Sequence, residues 1–222
     1  MSLKAVIFDK DGVLIDTEPG IVAATQKTIE KFGGDPNWFS LESRLWTGGI
    51  SARKTFENLI RDNSWSVSLE EVLSDYQNYH IEWLKKNPCK ALEGAKELLA
   101  ELKKNRIKAG IGTGSIRTKS ELTLDQSGIR DFINVMVTSE DVSEPKPAPD
   151  TFLEAARRLN VSLSECVVVG DSHNDRLGAK AAGMKFVFRT HTYEKQIDNM
   201  HPDLVVPSLR DLKVDALKAL FD

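Results

Sequence analysis

The chain has 222 residues, of which 41% are hydrophobic and 28% charged, and its formal net charge at pH 7 is −3. This composition is typical of a globular protein with a sizeable core, and the length suits one domain with a modest insertion. The charge gives no general reason to expect nucleic acid or an anionic membrane as a partner. The cysteine pair Cys89 and Cys166 shows no Cys-x-x-Cys spacing, so neither a disulfide framework nor a zinc site is predicted.

Short apolar runs recur along the chain and predict the strands of a sheet. They do not alternate with polar residues, which is typical of strands buried on both faces. Amphipathic stretches with helical spacing separate them, and this alternation indicates a doubly wound α/β fold with a mostly parallel sheet. The predicted strands are residues 4–8, 108–112, 134–138, 166–169 and 185–188, with an edge strand at 204–206, and the helices between and after them are 94–104, 118–127, 149–159, 175–182 and 209–220.

Residues 17–88 interrupt this alternation, because they contain helical patterns but no convincing strand. The clearest helices predicted there are residues 21–32, 51–60 and 69–84. An all-helical insertion after the first strand of a doubly wound sheet is interpreted as a lid or cap. We therefore predict a core domain at residues 1–16 and 89–222 and a small helical cap domain at residues 17–88.

The cellular location of the protein is predicted only by default, from the lack of a recognisable targeting signal. Its first residues show no basic region followed by a long apolar stretch, and no window approaches 18 consecutive apolar residues. We expect a cytoplasmic protein without a membrane or nucleic-acid partner, as a monomer or weak homodimer.

Polar residues follow the first two predicted strands at the point where each strand ends, which is where open parallel sheets bind ligands. Asp9 and Asp11 are two residues apart and face the same side of an extended segment. Adjacent carboxylates repel unless a cation lies between them or one is protonated, although an Asp-rich turn is the alternative. The segment from Thr113 to Ser115 offers hydroxyls and, at Gly114, open backbone that suits phosphate. On its own it is more simply explained as a turn in which Ser115 is the N-cap of the next helix.

Two further strand ends carry charged residues. Lys146 lies between two prolines that fix where it points, which suits it to neutralising a bound anion. Asp171 follows Gly170, whose lack of a side chain leaves room for close approach. Asp175 is expected either to cap the next helix or to act as an outer metal ligand.

Together these strand ends supply carboxylates, a hydroxyl and a cation to one crevice. Oxygen ligands completed by water are what Mg²⁺ prefers. The sequence has no glycine-rich Walker loop. The remaining interpretation is phosphoryl transfer through an aspartyl-phosphate.

In this order the four segments resemble the motifs of the haloacid dehalogenase superfamily of phosphohydrolases, over nearly the whole chain. Residues 8–18 resemble its first motif, Thr113 its second, Lys146 its third and residues 170–175 its fourth. The helical insertion is similar to the family's type 1 cap.

The resemblance implies a role for each motif residue. Asp9 would be the nucleophile, and Asp11 would act first as the acid and then as the base. Thr113 and Lys146 would hold the transferring phosphoryl group, assisted at the substrate by Gly114 and Ser115. Mg²⁺ would be held by Asp9, the backbone carbonyl of Asp11 and Asp171, with Asp175 near or behind it.

Within the family, a phosphatase acting on a small phosphorylated metabolite, of the phosphoglycolate or sugar-phosphate type, is favoured. Asp11 argues against dehalogenation, and a silent binding protein would be expected to have lost one of the motif residues. The main alternative is a mutase similar to β-phosphoglucomutase. The mutase interpretation is weakened because three residues of β-phosphoglucomutase are replaced here. Its histidine, arginine and glutamate would fall at Ile21, Ala52 and Gly170 of this chain.

The residues that select the substrate are expected in the cap. Gly49 and Arg53 are the main candidates, and Lys54 and His80 are further ones, although structural roles explain each of them equally well. Three tryptophans of the cap are expected in its core rather than on a stacking surface: Trp46, Trp65 and Trp83.

Overall fold

The computed structural model describes residues 2–42, 51–190 and 201–222. The chain divides into two compact units. One consists of Met1–Asp16 and Cys89–Asp222, and the other is Thr17–Pro88.

The first unit is built on a six-stranded sheet in which every strand pair is parallel, in the order β3-β2-β1-β4-β5-β6. The predicted α/β fold with a mostly parallel sheet is therefore confirmed. Because β1 lies in the centre, its last residue Phe8 is in register with Ile111 of β2 and Val169 of β4. The strands are β1 Ala5–Phe8, β2 Lys108–Gly112, β3 Val135–Val137, β4 Cys166–Gly170, β5 Lys185–Arg189 and β6 Leu204–Val206.

The helices of both units lie close to the predicted ranges, apart from the last. The α-helices that lie wholly within the described residues are α1 Glu18–Lys31, α2 Ala52–Asp62, α3 Leu69–Lys86, α4 Ala95–Lys104, α5 Arg117–Ser127, α6 Asp150–Leu159, α7 His173–Ala181 and α8 Val214–Ala219. No described helix combines the length and the apolar character that a membrane span requires.

The core of the first unit forms because helices cover the sheet with apolar faces. Helix α6 buries Phe152, Ala155 and Leu159, which recur with helical spacing. They pack against Ile7 and Val168 in one cluster. The helix ends where Asn160 adopts a left-handed conformation (φ 53°), and Gly128 (φ 68°) and Gly183 (φ 71°) share that conformation.

The last helix was predicted too long. Residues 208–212 form a turn, in which the N–H of Leu212 donates to the carbonyl of Leu209. Both leucines are buried there. The helical spacing of apolar residues is thus satisfied by a turn, and α8 begins only at Val214.

The second unit has an all-helical core among its described residues, 17–42 and 51–88. Phe56, Val72 and Tyr76 are buried in one cluster against which Trp65 packs. Trp83 also packs within this unit, because a Cβ added to Gly20 would lie 2.7 Å from its ring. Trp46 and Gly49 lie outside the described residues.

Candidate active site

Asp9 stands at the tip of the central strand. Its N–H donates to the carbonyl of Val169 (2.8 Å), which extends the pairing of β1 with β4 by one residue. Only 6% of Asp9 is exposed. The side chain is therefore held at the edge of the sheet where β1, β2 and β4 all end.

The ammonium of Lys146 lies directly on Asp9. Nζ is 2.5 Å from Oδ1 of Asp9, 2.6 Å from Oδ1 of Asp175 and 3.2 Å from the carbonyl of Gly112. Lys146 comes from the proline-flanked loop after β3, so a single side chain links the ends of β1 and β2 to the first turn of α7 through charge-assisted hydrogen bonds.

Two further carboxylates complete this group, which we call the Asp9 cluster: Asp9, Lys146, Asp171 and Asp175. One carboxylate oxygen from each aspartate lies within 4.8 Å of the others. Asp175 takes part in capping the next helix, as one of its two sequence-based expectations has it, while its role as an outer metal ligand stays a prediction. One oxygen accepts from the N–H of Ser172 in a capping box at the start of α7, and the other faces Lys146.

Gly170 is what allows Asp175 to occupy this place. A Cβ added at Gly170 would lie 2.5 Å from Cβ of Asp175 and 2.7 Å from its Cγ. Real Cβ atoms do not approach that closely, so any side chain at this position would displace Asp175 from Lys146.

The charges of the Asp9 cluster are unbalanced. Burial raises the pKa of Asp9 to about 8; Lys146 opposes the rise, while Asp175, Asp171 and Asp11 add to it. Burial also opposes protonation of Lys146, but the carboxylates of Asp175 and Asp9 raise its pKa above the usual range. The rise at Asp9 comes first from burial and the rise at Lys146 from its carboxylate partners, and the excess of carboxylates over ammonium groups adds to both. The excess of negative charge and the all-oxygen donors fit a hard divalent cation such as Mg²⁺.

Asp11 belongs to a separate group, which we call the Asp11 cluster: Asp11, Lys10, Thr113 and Ser115. Its Oδ2 accepts from the hydroxyls of Ser115 (2.8 Å) and Thr113 (3.3 Å). Its Oδ1 contacts the ammonium of Lys10, a side chain that is 1% exposed. The carboxylate of Asp11 is not part of the triad of possible metal ligands, so metal binding through its backbone carbonyl stays a prediction.

The interpretation of Ser115 as a helix N-cap is wrong. Its hydroxyl donates to Asp11 and does not cap the following helix, because the N-cap of α5 is Ile116, which makes no side-chain cap. The segment from Thr113 to Ser115 therefore turns its hydroxyls towards β1. At Gly114, an added Cβ would meet no atom within 4 Å, so the backbone there borders open space.

Three cations near the site were missed by sequence reasoning: Lys10, Lys119 and Arg189. Lys119 is 5% exposed, and burial lowers its pKa to about 8, an effect that Asp11 opposes and Lys10 reinforces. Nη1 of Arg189 donates to the carbonyl of Gly12 (3.0 Å) just beyond the first motif. Each could have been found from a signal in the sequence. Lys10 is a charged residue between two aspartates, Lys119 is one of several polar residues on the inner face of α5, and Arg189 is a cation at the end of β5.

The three remaining candidates of the second unit, Arg53, Lys54 and His80, have partners within that unit. Nζ of Lys54 is 3.4 Å from Oε2 of Glu57, three residues further along α2. The guanidinium of Arg53 is 3.4 Å from Oε1 of Glu70, in a pair whose side chains are both more than half exposed. Such exposed pairs contribute little to stability. His80 is buried, and its Nδ1 is 3.4 Å from the hydroxyl of Tyr76, which supports a packing role.

Comparisons with known proteins give one consistent family. The family model for haloacid dehalogenase-like hydrolases matches residues 6–188. Pyrophosphatase PpaX of Bacillus anthracis is 30% identical over 218 residues, which cover 96% of this chain and 95% of the relative. β-Phosphoglucomutase from Clostridium difficile superposes with a TM-score of 0.83 at 25% identity, covering 99% of this chain and 97% of that one. A hydrolase from Pseudomonas syringae gives 0.80 at 26% identity, covering 99% and 100%.

Proposed function

The chain belongs to the haloacid dehalogenase-like hydrolase family, and from this premise we propose that it is a magnesium-dependent phosphatase that acts on a small phosphorylated metabolite through an aspartyl-phosphate. The family and the hydrolase class predicted from the four motifs are both confirmed. The observation that carries the proposal is the contact of Lys146 with Asp9 at the tip of β1, inside a triad of carboxylates.

In the first step, a carboxylate oxygen of Asp9 attacks the phosphorus in line, and the bond from phosphorus to the leaving oxygen breaks. Lys146 and the hydroxyl of Thr113 hold phosphoryl oxygens, which is the positioning and charge stabilisation that phosphoryl transfer mostly requires. Asp11 donates a proton to the leaving oxygen. Gly114 and Ser115 support the phosphoryl group from the open side of the same turn.

In the second step, water attacks the phosphorus of the aspartyl-phosphate. Asp11, now ionised, accepts a proton from that water, the bond between phosphorus and Asp9 breaks, and inorganic phosphate leaves. Asp9 is thereby regenerated, and the proton from water replaces the one that Asp11 gave to the leaving group. The second role of Asp11 follows from the first by proton balance.

The residues that would hold Mg²⁺ are Asp9, Asp171 and Asp175, together with the backbone carbonyl of Asp11. Bound there, the cation would neutralise charge on the phosphoryl group. The carboxylate excess of the Asp9 cluster supports this assignment.

The substrate is proposed to be of the phosphoglycolate or sugar-phosphate type, and the helical unit, residues 17–88, is proposed to be the cap that selects it. Arg53 and Gly49 remain its candidate contacts. Since the relative from Bacillus anthracis is named a pyrophosphatase, inorganic pyrophosphate belongs among the substrates tested.

A mutase is the second candidate, favoured by the similarity to the phosphoglucomutase from Clostridium difficile. The surroundings of Gly170 argue against it. A glutamate at this position, as in the mutases, would collide with Asp175 as it is placed in this chain. A phosphatase therefore fits the site better.

Phosphate release tests the proposal across a panel of phosphoglycolate, hexose phosphates, p-nitrophenyl phosphate and pyrophosphate, with Mg²⁺ and with Asp9→Asn as control. We expect release by the wild type only. Turnover that persists in Asp9→Asn would contradict the nucleophile, and turnover that survives exhaustive chelation would contradict the metal. Conversion of a hexose 1-phosphate to the 6-phosphate with a bisphosphate primer and no net phosphate release would favour the mutase.

A further inference from the structure

We propose that Lys10 is a positioning residue that orients Asp11 for proton transfer to the leaving group. The inference deepens the proposed function and rests on it. Lys10 stands between the two aspartates of the first motif, yet it contacts only one of them among the described residues: its ammonium lies against Oδ1 of Asp11, whereas Asp9 pairs with Lys146.

The burial of Lys10 makes this contact significant. With 1% of the residue exposed, its ammonium has lost most of its hydration. Burying an ammonium is costly unless it is paired and hydrogen-bonded. Its position is therefore dictated by its acceptors, which are Asp11 and the hydroxyl of Thr123 at 3.3 Å.

Thr123 provides a fixed anchor for that ammonium. Its hydroxyl donates to the carbonyl of Lys119 (3.0 Å) one turn earlier in α5. With its proton used in this way, the same oxygen accepts from Lys10. The anchor is thus part of a helix, not a mobile surface group.

The inner face of α5 is unusually polar. Lys119, Ser120 and Thr123 are all buried, whereas helices ordinarily bury an apolar stripe. Packing alone does not explain this face. Supporting a charged side chain at the tip of β1 does, because the face lies behind Lys10 and Asp11.

Asp11 is consequently held from two sides. Lys10 fixes Oδ1, and the hydroxyls of Ser115 and Thr113 fix Oδ2. Proton transfer requires the acid within hydrogen-bond reach of the leaving oxygen, and small displacements are costly. The arrangement preorganises Asp11 before substrate binds, which is the task of a supporting residue.

The test uses leaving groups that depend differently on Asp11. An alkoxide needs a proton to depart, whereas p-nitrophenolate does not. We expect Lys10→Met to lower kcat/KM by about 10–100-fold for the alkyl phosphate that the wild type hydrolyses fastest, and by less than about threefold for p-nitrophenyl phosphate. Since kcat/KM covers the steps up to departure of the leaving group, hydrolysis of the aspartyl-phosphate does not mask the difference.

Thr123→Val is the second variant, because it removes the anchor while keeping the lysine and the shape of the core. It should lower kcat/KM selectively for the alkyl phosphate, as Lys10→Met does, but to a smaller extent. This variant keeps the test valid if Lys10→Met folds poorly. Lys108→Met is the matched control. Lys108 is the first residue of β2, and its ammonium donates to the carbonyl of Leu159. This variant should hydrolyse both substrates with the kcat/KM of the wild type.

An equal loss on the two substrates in both Lys10→Met and Thr123→Val, or no loss in either, would overturn the role of Lys10. A wild type that releases no phosphate from any substrate would instead contradict the proposed function. The two failures are thus distinguishable.

Discussion

Two carboxylates that are two residues apart in the sequence occupy opposite electrostatic surroundings. In the Asp9 cluster, carboxylates outnumber the ammonium of Lys146, and burial raises the pKa of Asp9. In the Asp11 cluster, one carboxylate is balanced by Lys10 and by two hydroxyls. The first group has an excess of negative charge, while in the second the carboxylate of Asp11 is matched by the ammonium of Lys10.

This difference separates the proposed roles. A group with excess negative charge suits a divalent cation and, with it, an incoming phosphoryl group. Three donors fix the orientation of the Asp11 carboxyl group, which places it for proton transfer at one position. One short segment after β1 can supply both because each aspartate meets a different lysine.

The largest expected effect comes from reducing the negative charge of the Asp9 cluster. Asp171→Asn removes one carboxylate of the triad, so we expect kcat/KM to fall on the order of 100-fold and the Mg²⁺ concentration for half-maximal activity to rise. Titration of activity with MgCl₂ measures both. Asp203→Asn, which removes the partner of Lys185 elsewhere in the sheet, is the control. An unchanged Mg²⁺ requirement in Asp171→Asn would contradict the assigned site.

Gly170→Ala tests whether the position of Asp175 matters. The added Cβ would lie 2.5 Å from Cβ of Asp175, and such overpacking costs about 1–3 kcal/mol. We expect urea denaturation to show this loss in the free energy of unfolding, with roughly tenfold lower kcat because Asp175 moves away from Lys146. Full activity and stability would show that this contact is dispensable.

Lys119→Met tests the surplus of cations behind Asp11. Burial lowers the pKa of Lys119 to about 8 from an ordinary value of 10.5. The unfolded chain therefore binds the proton more tightly, and protonated Lys119 destabilises the fold below about pH 8. That penalty disappears as the pH rises through the window between the two pKa values.

Denaturation of Lys119→Met at a series of pH values measures this penalty. At pH 7 we expect the variant to be more stable than the wild type by about 1–3 kcal/mol, an advantage that is lost above about pH 10. A variant that is less stable at pH 7 would show that Lys119 is stabilised by its neighbours.

The smallest expected effect concerns the open turn that borders the Asp11 cluster. A Cβ at Gly114 would meet no protein atom within 4 Å, so Gly114→Ala should leave the melting temperature unchanged. If substrate phosphate approaches this backbone, KM should rise by about threefold to tenfold with little change in kcat. Unchanged KM would place the phosphate elsewhere.

Much of the fold could be predicted from the sequence because buried parallel strands leave a strong signal. The runs ending at Phe8 and Val169 are apolar throughout, and their polar residues follow at once. The shared edge of a parallel sheet then brings Asp9, Lys146 and Asp171 towards one place. The positions of these three residues depend on the topology of the parallel sheet, which the alternation of strand and helix patterns indicates.

Other features depend on side-chain directions, which no sequence pattern contains. Ser115 could cap a helix or bind Asp11, and only the geometry of the turn decides between them. Lys10 was missed because a lysine beside two aspartates is ordinarily a solvated residue. The start of α8 at Val214 was missed because a turn can bury Leu209 and Leu212 as well as a helix can.

The measurement that tests the account most directly is chemical trapping of the intermediate. Borohydride added during turnover reduces an acyl phosphate on Asp9 to homoserine, which mass spectrometry detects in the tryptic peptide of residues 5–10. We predict homoserine at Asp9 in the wild type only when substrate and Mg²⁺ are both present. Steady turnover without trapped homoserine at Asp9, or with the modification on another residue, would contradict Asp9 as the nucleophile.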